Sequence, residues 1–131
     1  MASSFDPGAL LGGSYPLGDG VRVRLRMARS SDFAAIRGLL ERARSADDGT
    51  PQSSDIEVAG LVRFDPRRRN VLCATTLLGT SEVLVGVGSV EMARGRPDTL
   101  VVDPALGDEL GELLANALAG RASAVARHRA A

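Results

Sequence analysis

The sequence has very few of the residues that build metal centres and nucleophilic active sites. It contains one cysteine, one histidine and no tryptophan, and aromatic residues make up 3% of the chain. A single Cys73 cannot form an internal disulfide, and one cysteine with one histidine cannot complete a structural zinc site. A Ser-His-Asp or Cys-His centre would have to use His128, close to the C-terminal end, where chains usually fray. We therefore predict no metal cofactor and no hydrolase-type triad.

An excess of charge of one sign is also missing. All sixteen basic residues are arginine and balance sixteen acidic residues, so the net charge is zero. A chain without net charge has no overall field that would draw it to nucleic acid or to an acidic membrane. We read the exclusive use of arginine as the codon bias of a GC-rich bacterial genome.

Long apolar runs are absent as well. The longest are far shorter than the ~20 residues that span a bilayer. Residues 1–20 lack the basic start of a signal peptide. We therefore expect no membrane partner, a cytoplasmic location and a reduced Cys73.

The residues that are present follow the pattern of one α+β domain. Residues 1–20 are rich in Gly, Pro and Ser without periodicity, which predicts a flexible N-terminal arm before a domain at 21–131. From Val21 to Met27 apolar residues alternate with arginines, which predicts a strand, whereas apolar residues from Phe33 to Ala43 recur at helical spacing. The predicted elements, in chain order, are a strand at 21–27, a helix capped by Ser30 or Ser31, a short helix from Ser54 to about Phe64 with a Ser54–Glu57 capping box, hairpin strands at 70–78 and 82–91, a strand at 99–102 and a long helix after Pro104.

This order of elements predicts a fold class. Consecutive strands with helices segregated around them favour a mixed, mainly antiparallel α+β sheet over a doubly wound one. Gly86 and Gly88 lie inside the second hairpin strand, where glycine usually marks a bulge or a close approach to the backbone.

Three segments carry a resemblance to a known family. They read RLRMARSSDFAAIRGLLERA, VLCATTLLGTSEVLVGVGSVEM and TLVVDPALGDELGELLANALAGRA, and together they cover roughly residues 21–122. Their order and spacing resemble the GCN5-related N-acetyltransferase (GNAT) domain. The resemblance implies that the fold is GNAT-like and the cofactor is acetyl-CoA or another acyl-CoA. The implied pantetheine strand is Leu100, Val101 and Val102, and the implied remnant of the pyrophosphate-binding turn is Gly107, Leu110 and Gly111.

The sequence departs from the family pattern at that turn. The turn is about two residues short and lacks its basic residue, and residues 98–112 carry five acids and no cation. Asp108, Glu109 and Glu112 stand where phosphates would bind. Two like charges ~5.5 Å apart repel by roughly 3 kcal/mol at an effective dielectric of about 20. The helix dipole stabilises a negative charge near the helix N-terminus by only about 0.3 to 1 kcal/mol. The alternative is that these acids stabilise the start of the helix themselves.

A second departure concerns the end of the domain. Family members continue with further strands and commonly supply a tyrosine as general acid, whereas the only tyrosine here is Tyr15. The matched part of the chain lacks the usual C-terminal strands. Glu91, at the end of a strand, is a candidate to deprotonate an amine through water, and its alternative is a solvated strand end. An open edge on the last strand predicts a homodimer or a complementing protein chain.

Two other features have a functional and a structural interpretation. Residues 21–44 carry seven arginines against two acids. These arginines either bind an anion such as RNA or form a solvated face and pair with the acids of 98–112. With so few aromatic residues for stacking, no nucleic-acid partner is expected. Cys73 lies in an apolar strand, which indicates a small core residue rather than a nucleophile.

The sequence leaves two functions open. One is a GNAT-like N-acyltransferase with a degenerate acyl-CoA turn and weak or no catalysis. The other is a non-catalytic dimerisation or regulatory module.

Overall fold

The chain forms a five-stranded antiparallel sheet with helices on both faces. A computed structural model describes residues 14–18, 20–48, 55–95, 97–106 and 108–130, with side chains described outside 45–48 and 124–130. The strands follow one another across the sheet in chain order, and each is antiparallel to its neighbours. The predicted α+β class is confirmed. The elements are β1 (Ser14–Pro16), β2 (Arg22–Met27), α1 (Phe33–Asp48), α2 (Asp55–Val62), β3 (Arg69–Leu78), β4 (Ser81–Glu91), β5 (Pro97–Val102) and α3 (Asp108–Ala130).

Strand β1 was not predicted. It falls in the segment expected to be a flexible arm, yet it pairs with β2, so that Ser14 lies opposite Arg24 and Tyr15 opposite Val23. The connection is closed by the Leu17 N–H, which donates to the Val21 carbonyl at 2.7 Å. Leu17 is buried in the core. Residues 1–13 and 19, which the same prediction included, lie outside the described residues.

The alternation in β2 separates the two faces of the sheet. Val23 and Leu25 are fully buried and pack in the cluster that α3 covers. Because successive strand residues point to opposite faces, the arginines of β2 lie on the other face. There a second cluster, which includes Ile36 of α1, Leu61 of α2 and Val87 of β4, fills the space under α1 and α2. The sheet therefore has one apolar core on each side.

The start of α1 differs from the prediction in its capping residue. The chain enters the helix through a short 3-10 turn at Ser30–Asp32, and both serines predicted as caps lie within this turn. The Arg29 N–H donates to Asp32 Oδ2 at 2.7 Å, and the Asp32 N–H donates to the Arg29 carbonyl at 2.9 Å. Asp32 thus ties the turn together. Ser54, of the capping box predicted for the second helix, lies outside the described residues.

The two glycines in β4 serve both predicted purposes. The pairing of β3 with β4 shifts between Ala74 and Thr75, which places a bulge on β4 beside Gly86. A Cβ added to Gly88 would lie 2.6 Å from Leu118 Cδ1, a distance that real Cβ contacts do not show. Glycine at position 88 therefore lets α3 approach the sheet closely.

Candidate functional site

The candidate site is the turn that joins β5 to α3. The strand ends at Val102, and the Asp103 N–H donates to the Val85 carbonyl at 2.8 Å. Asp103 then folds over the turn, because its Oδ1 accepts the Ala105 N–H at 3.0 Å and its carbonyl accepts the Leu106 N–H at 3.0 Å. A carboxylate of the chain itself thus occupies a backbone donor of this turn.

The first turn of α3 carries further acids. Asp108 and Glu109 stand in that turn and both are exposed. Glu109 Oε1 accepts the Gly18 N–H at 2.6 Å, so the loop after β1 lies against the start of α3. The contact joins residues 91 positions apart. One of the acids predicted to stabilise the helix start, Glu109, therefore holds the loop after β1.

The residues implied for acyl-CoA binding lie in different environments. Leu100 is 42% exposed, whereas Val101 and Val102 are half-buried and pack against the two core clusters. Leu110 is fully buried and belongs to the core. Gly111 is half-buried, and a Cβ there would meet open space. Gly107 lies outside the described residues. Their roles in binding stay a prediction.

Glu91 lies at the end of β4, beside a tight turn. Its carbonyl accepts the N–H groups of Arg94 and Gly95, both at 3.1 Å. Its Oε2 lies 3.1 Å from Arg94 Nε, and its side chain is 47% exposed. The carboxylate is therefore paired within its own turn and open to solvent.

A polar cluster at the start of β5 was missed by the sequence analysis. The fully buried Ser89 donates its hydroxyl to Asp98 Oδ1 and accepts a hydrogen bond of 2.9 Å from Arg69 Nη2. Arg69 Nε is buried and has no hydrogen-bond partner among the described residues. On the neighbouring residue, Asn70 Oδ1 accepts Arg121 Nε of α3 at 3.1 Å. These residues come from separate elements, so no local spacing pointed to them.

A second network holds the arginine face of β2. Arg26 donates two hydrogen bonds to the Asp32 carboxylate, at 2.8 and 2.7 Å, and Arg26 Nη2 lies 2.9 Å from Glu82 Oε1. Burial opposes the ionisation of Asp32, but the hydrogen bonds from Arg26 and Arg29 outweigh it and lower the pKa of Asp32. The hydrogen bond from Arg26 likewise lowers the pKa of Glu82. This network links β2, β4 and the entry to α1.

Cys73 lies next to this network. Its Sγ is 3.9 Å from Asp32 Oδ2, and the residue is fully buried. Burial, with the Asp32 charge nearby, raises the pKa of the Cys73 thiol to about 12. A thiol with that pKa is not a nucleophile at neutral pH, which agrees with its interpretation as a core residue.

Three other arginines of residues 21–44 form salt bridges: Arg37, Arg42 and Arg44. Arg44 forms a bidentate pair with Glu57 at 2.8 and 2.7 Å, and Arg37 pairs with Asp55. Among the arginines of residues 21–44, only Arg42 forms a salt bridge with an acid of residues 98–112 in the described part of the chain. Its Nη2 lies 3.6 Å from Asp103 Oδ2. The expected pairing between these two regions is therefore limited to one contact.

The described part of this turn is acidic. Phosphate binds at helix N-termini through free N–H groups and the positive end of the dipole. Here Asp103 accepts the Ala105 N–H, while Asp108 and Glu109 place two more negative charges in the next turn.

No group of three or more metal-binding side chains is found in the described ranges. Nor do those ranges contain a helix long and apolar enough to cross a membrane.

Comparison with known proteins identifies the fold. No family model matches the sequence, and no curated protein matches it either. The chain is similar to the crystal structure of the GNAT domain of S. lividans PAT, with a TM-score of 0.61 and 21% sequence identity. The similarity covers 89% of this chain and 72% of that one. At this level of identity the likeness shows an acetyltransferase-like fold.

Proposed function

We propose that this chain is an acetyltransferase-like domain whose acyl-CoA turn is degenerate and that it acts as a protein-binding module rather than as an N-acyltransferase. The observation that carries the proposal is the hydrogen bond of 3.0 Å between the Asp103 carboxylate and the Ala105 N–H. A backbone donor two residues before the implied pyrophosphate turn at Gly107 is thus already used by an acid of the chain.

Electrostatics support the same conclusion. Asp103, Asp108 and Glu109 lie within seven consecutive positions of the sequence. A like-charge pair at about 5.5 Å repels by roughly 3 kcal/mol before screening, and water and salt reduce this figure for the exposed Asp108 and Glu109. The Asp103 charge is opposed by Arg42 at 3.6 Å, but that side chain is 49% exposed and contributes little. A pyrophosphate would have to displace Asp103 and overcome the remaining repulsion.

Isothermal titration with acetyl-CoA at millimolar concentration tests this part of the proposal. We expect no heat of binding from the native chain. The matched variant Asp103→Asn/Asp108→Asn/Glu109→Gln keeps similar side-chain volumes and removes the three charges, so we expect it to bind acetyl-CoA more tightly than the native chain. A saturable heat from the native chain would contradict the proposal.

The edge of β5 supports the protein-binding role. In the described residues β5 pairs with β4 on one side, and no strand lies along its other side. Natural sheets protect such edges with charged residues, proline, bulges or short strands, and β5 begins with Pro97. The only charged residue in β5 is Asp98, and its carboxylate accepts the Ser89 hydroxyl. Leu100 is 42% exposed on this strand. We take a second copy of this chain as the partner. A short antiparallel pair of β5 strands centred on Leu100 would satisfy the free β5 edge of each copy.

Light scattering at tens of micromolar measures this association. We expect the mass of a dimer for the native chain and of a monomer for Leu100→Lys, because a charge at the centre of the paired edge opposes pairing. Ile56→Lys is the matched control, since Ile56 is 86% exposed on α2, away from the edge, and this variant should remain dimeric. A native monomer, or an equal effect of both variants, would contradict edge pairing.

A further inference from the structure

A cleft that reaches from the β5–α3 turn, at Asp103, Ala105 and Leu106, to β2 and the β3–β4 hairpin combines apolar walls with arginines. It has a volume of about 630 Å³ and lies beside the tip of the β3–β4 hairpin. Its walls include Leu77 and Leu78, which are 60% and 67% exposed, and two arginines of β2, Arg22 and Arg24. Clefts of this volume commonly hold small organic ligands, with apolar walls and a few polar groups that orient the ligand.

The acids of the cleft are already engaged by cations from outside it. Glu82 lines the cleft, and its Oε1 lies 2.9 Å from Arg26 Nη2. Asp103 also lines it, and its Oδ2 lies 3.6 Å from Arg42 Nη2. Neither Arg26 nor Arg42 is among the lining residues. Arg26 therefore balances Glu82, whereas the half-exposed Arg42 is only a weak counter-charge for Asp103.

The arginines of the cleft lack such partners. Arg22 and Arg24 are two positions apart in β2, so both side chains lie on the same face of the sheet. Arg22 Nε donates to Ser14 Oγ at 3.0 Å, which holds its guanidinium beside β1. In the part of the chain that the structure describes, neither arginine forms a salt bridge. Two guanidinium groups thus remain available to one ligand.

We propose that this cleft binds a small organic carboxylate, with the apolar body of the ligand against Leu77, on the same face of the sheet as the arginines, and its carboxylate on Arg22 and Arg24. Guanidinium groups match carboxylates in geometry, because each presents parallel N–H donors to two oxygens. Glu82 competes less for those donors because it is held by Arg26 at 2.9 Å. The proposal uses neither the β5 edge nor phosphate binding, so it stands independently of the function proposed above.

Calorimetric titration of the full chain with three ten-carbon probes tests the charge requirement. Decanoate, decanol and decylamine share one apolar body and differ in the charge of the head group. We expect decanoate to bind, decanol to bind at least about tenfold more weakly, and decylamine to be weaker still, since a charge-assisted hydrogen bond is worth about a tenfold change or more. Equal affinities for the three probes, or no binding of decanoate in the millimolar range, would overturn the proposal.

Variants assign the site to these residues. Arg24→Gln should weaken decanoate binding roughly tenfold. The control Arg68→Gln removes an exposed arginine from the turn before β3, outside the cleft, and should leave the affinity unchanged. Equal affinities of the two variants would place the anion elsewhere and overturn the assignment. Amide NMR shifts of the native chain on adding decanoate provide a readout without any substitution: they should centre on residues 75–78, and shifts confined to other elements would also overturn it.

Discussion

The close contact between Gly88 and helix α3 allows the packing of the domain to be tested by a single methyl group. In Gly88→Ala the new Cβ would lie 2.6 Å from Leu118 Cδ1 and 3.2 Å from both Leu100 Cδ1 and the Thr99 carbonyl oxygen. Leu118 is fully buried, so its side chain has little room to move away. Overpacking of this kind costs about 1–3 kcal/mol, and the better backbone entropy of alanine offsets about 0.5–1 kcal/mol. We expect a net loss of about 1 kcal/mol, and at most about 2.5 kcal/mol, in the free energy of unfolding.

Urea unfolding followed by far-UV circular dichroism measures this loss. Two matched substitutions provide the scale. Gly86→Ala brings its Cβ to 3.3 Å from Ala74 Cβ and should cost less than Gly88→Ala. Gly111→Ala meets nothing within 4 Å in α3 and should stabilise the protein by about 0.5–1 kcal/mol. The packing argument is refuted if Gly88→Ala is as stable as the native chain, or if Gly86→Ala is the more destabilised of the two.

Two further predictions concern the network around Arg26. Folding lowers the pKa of Asp32 from 3.8 and that of Glu82 from 4.5. The two ionised carboxylates should therefore contribute fully to the free energy of unfolding above these ordinary pKa values. Their contribution should decline as the pH falls through the lower pKa values of the folded chain. Arg26→Gln removes the shared partner, and because it leaves Asp32 buried without its cation, urea titration at pH 7 should show a loss of about 2–4 kcal/mol and a shallower decline in acid. An unchanged acid dependence would show that the network does not set it. Cys73, fully buried with a pKa of about 12, should react with a thiol reagent only at the rate of unfolding, and prompt labelling of the native chain would contradict its position.

The parts of the fold that follow from local pattern could be predicted. The alternation at residues 21–27 allows only one face of a strand to be buried, and β2 was found at Arg22–Met27 with Val23 and Leu25 in the core. The glycines of β4 likewise indicated a bulge and a close approach, and both are present at Gly86 and Gly88. At these positions the local backbone geometry, or the alternation within a single strand, determines which residue type fits.

The parts that depend on distant contacts could not be predicted. Strand β1 has three residues, and its pairing with β2 and the burial of Leu17 stabilise it rather than any periodicity of its own. The contact of Glu109 with Gly18 likewise joins opposite ends of the sequence. The turn after β5 was expected to be acidic, but composition alone did not reveal that Asp103 would bind the Ala105 N–H.

The central claim is that carboxylates of the chain occupy the turn where the resembled family binds pyrophosphate. Backbone amide NMR of the full chain during titration with acetyl-CoA tests it residue by residue. We predict no saturable shift at residues 103–110, because Asp103 retains the Ala105 N–H. Saturable shifts of the Ala105 and Leu106 amides would mean that a phosphate displaces the Asp103 carboxylate, and they would contradict the account.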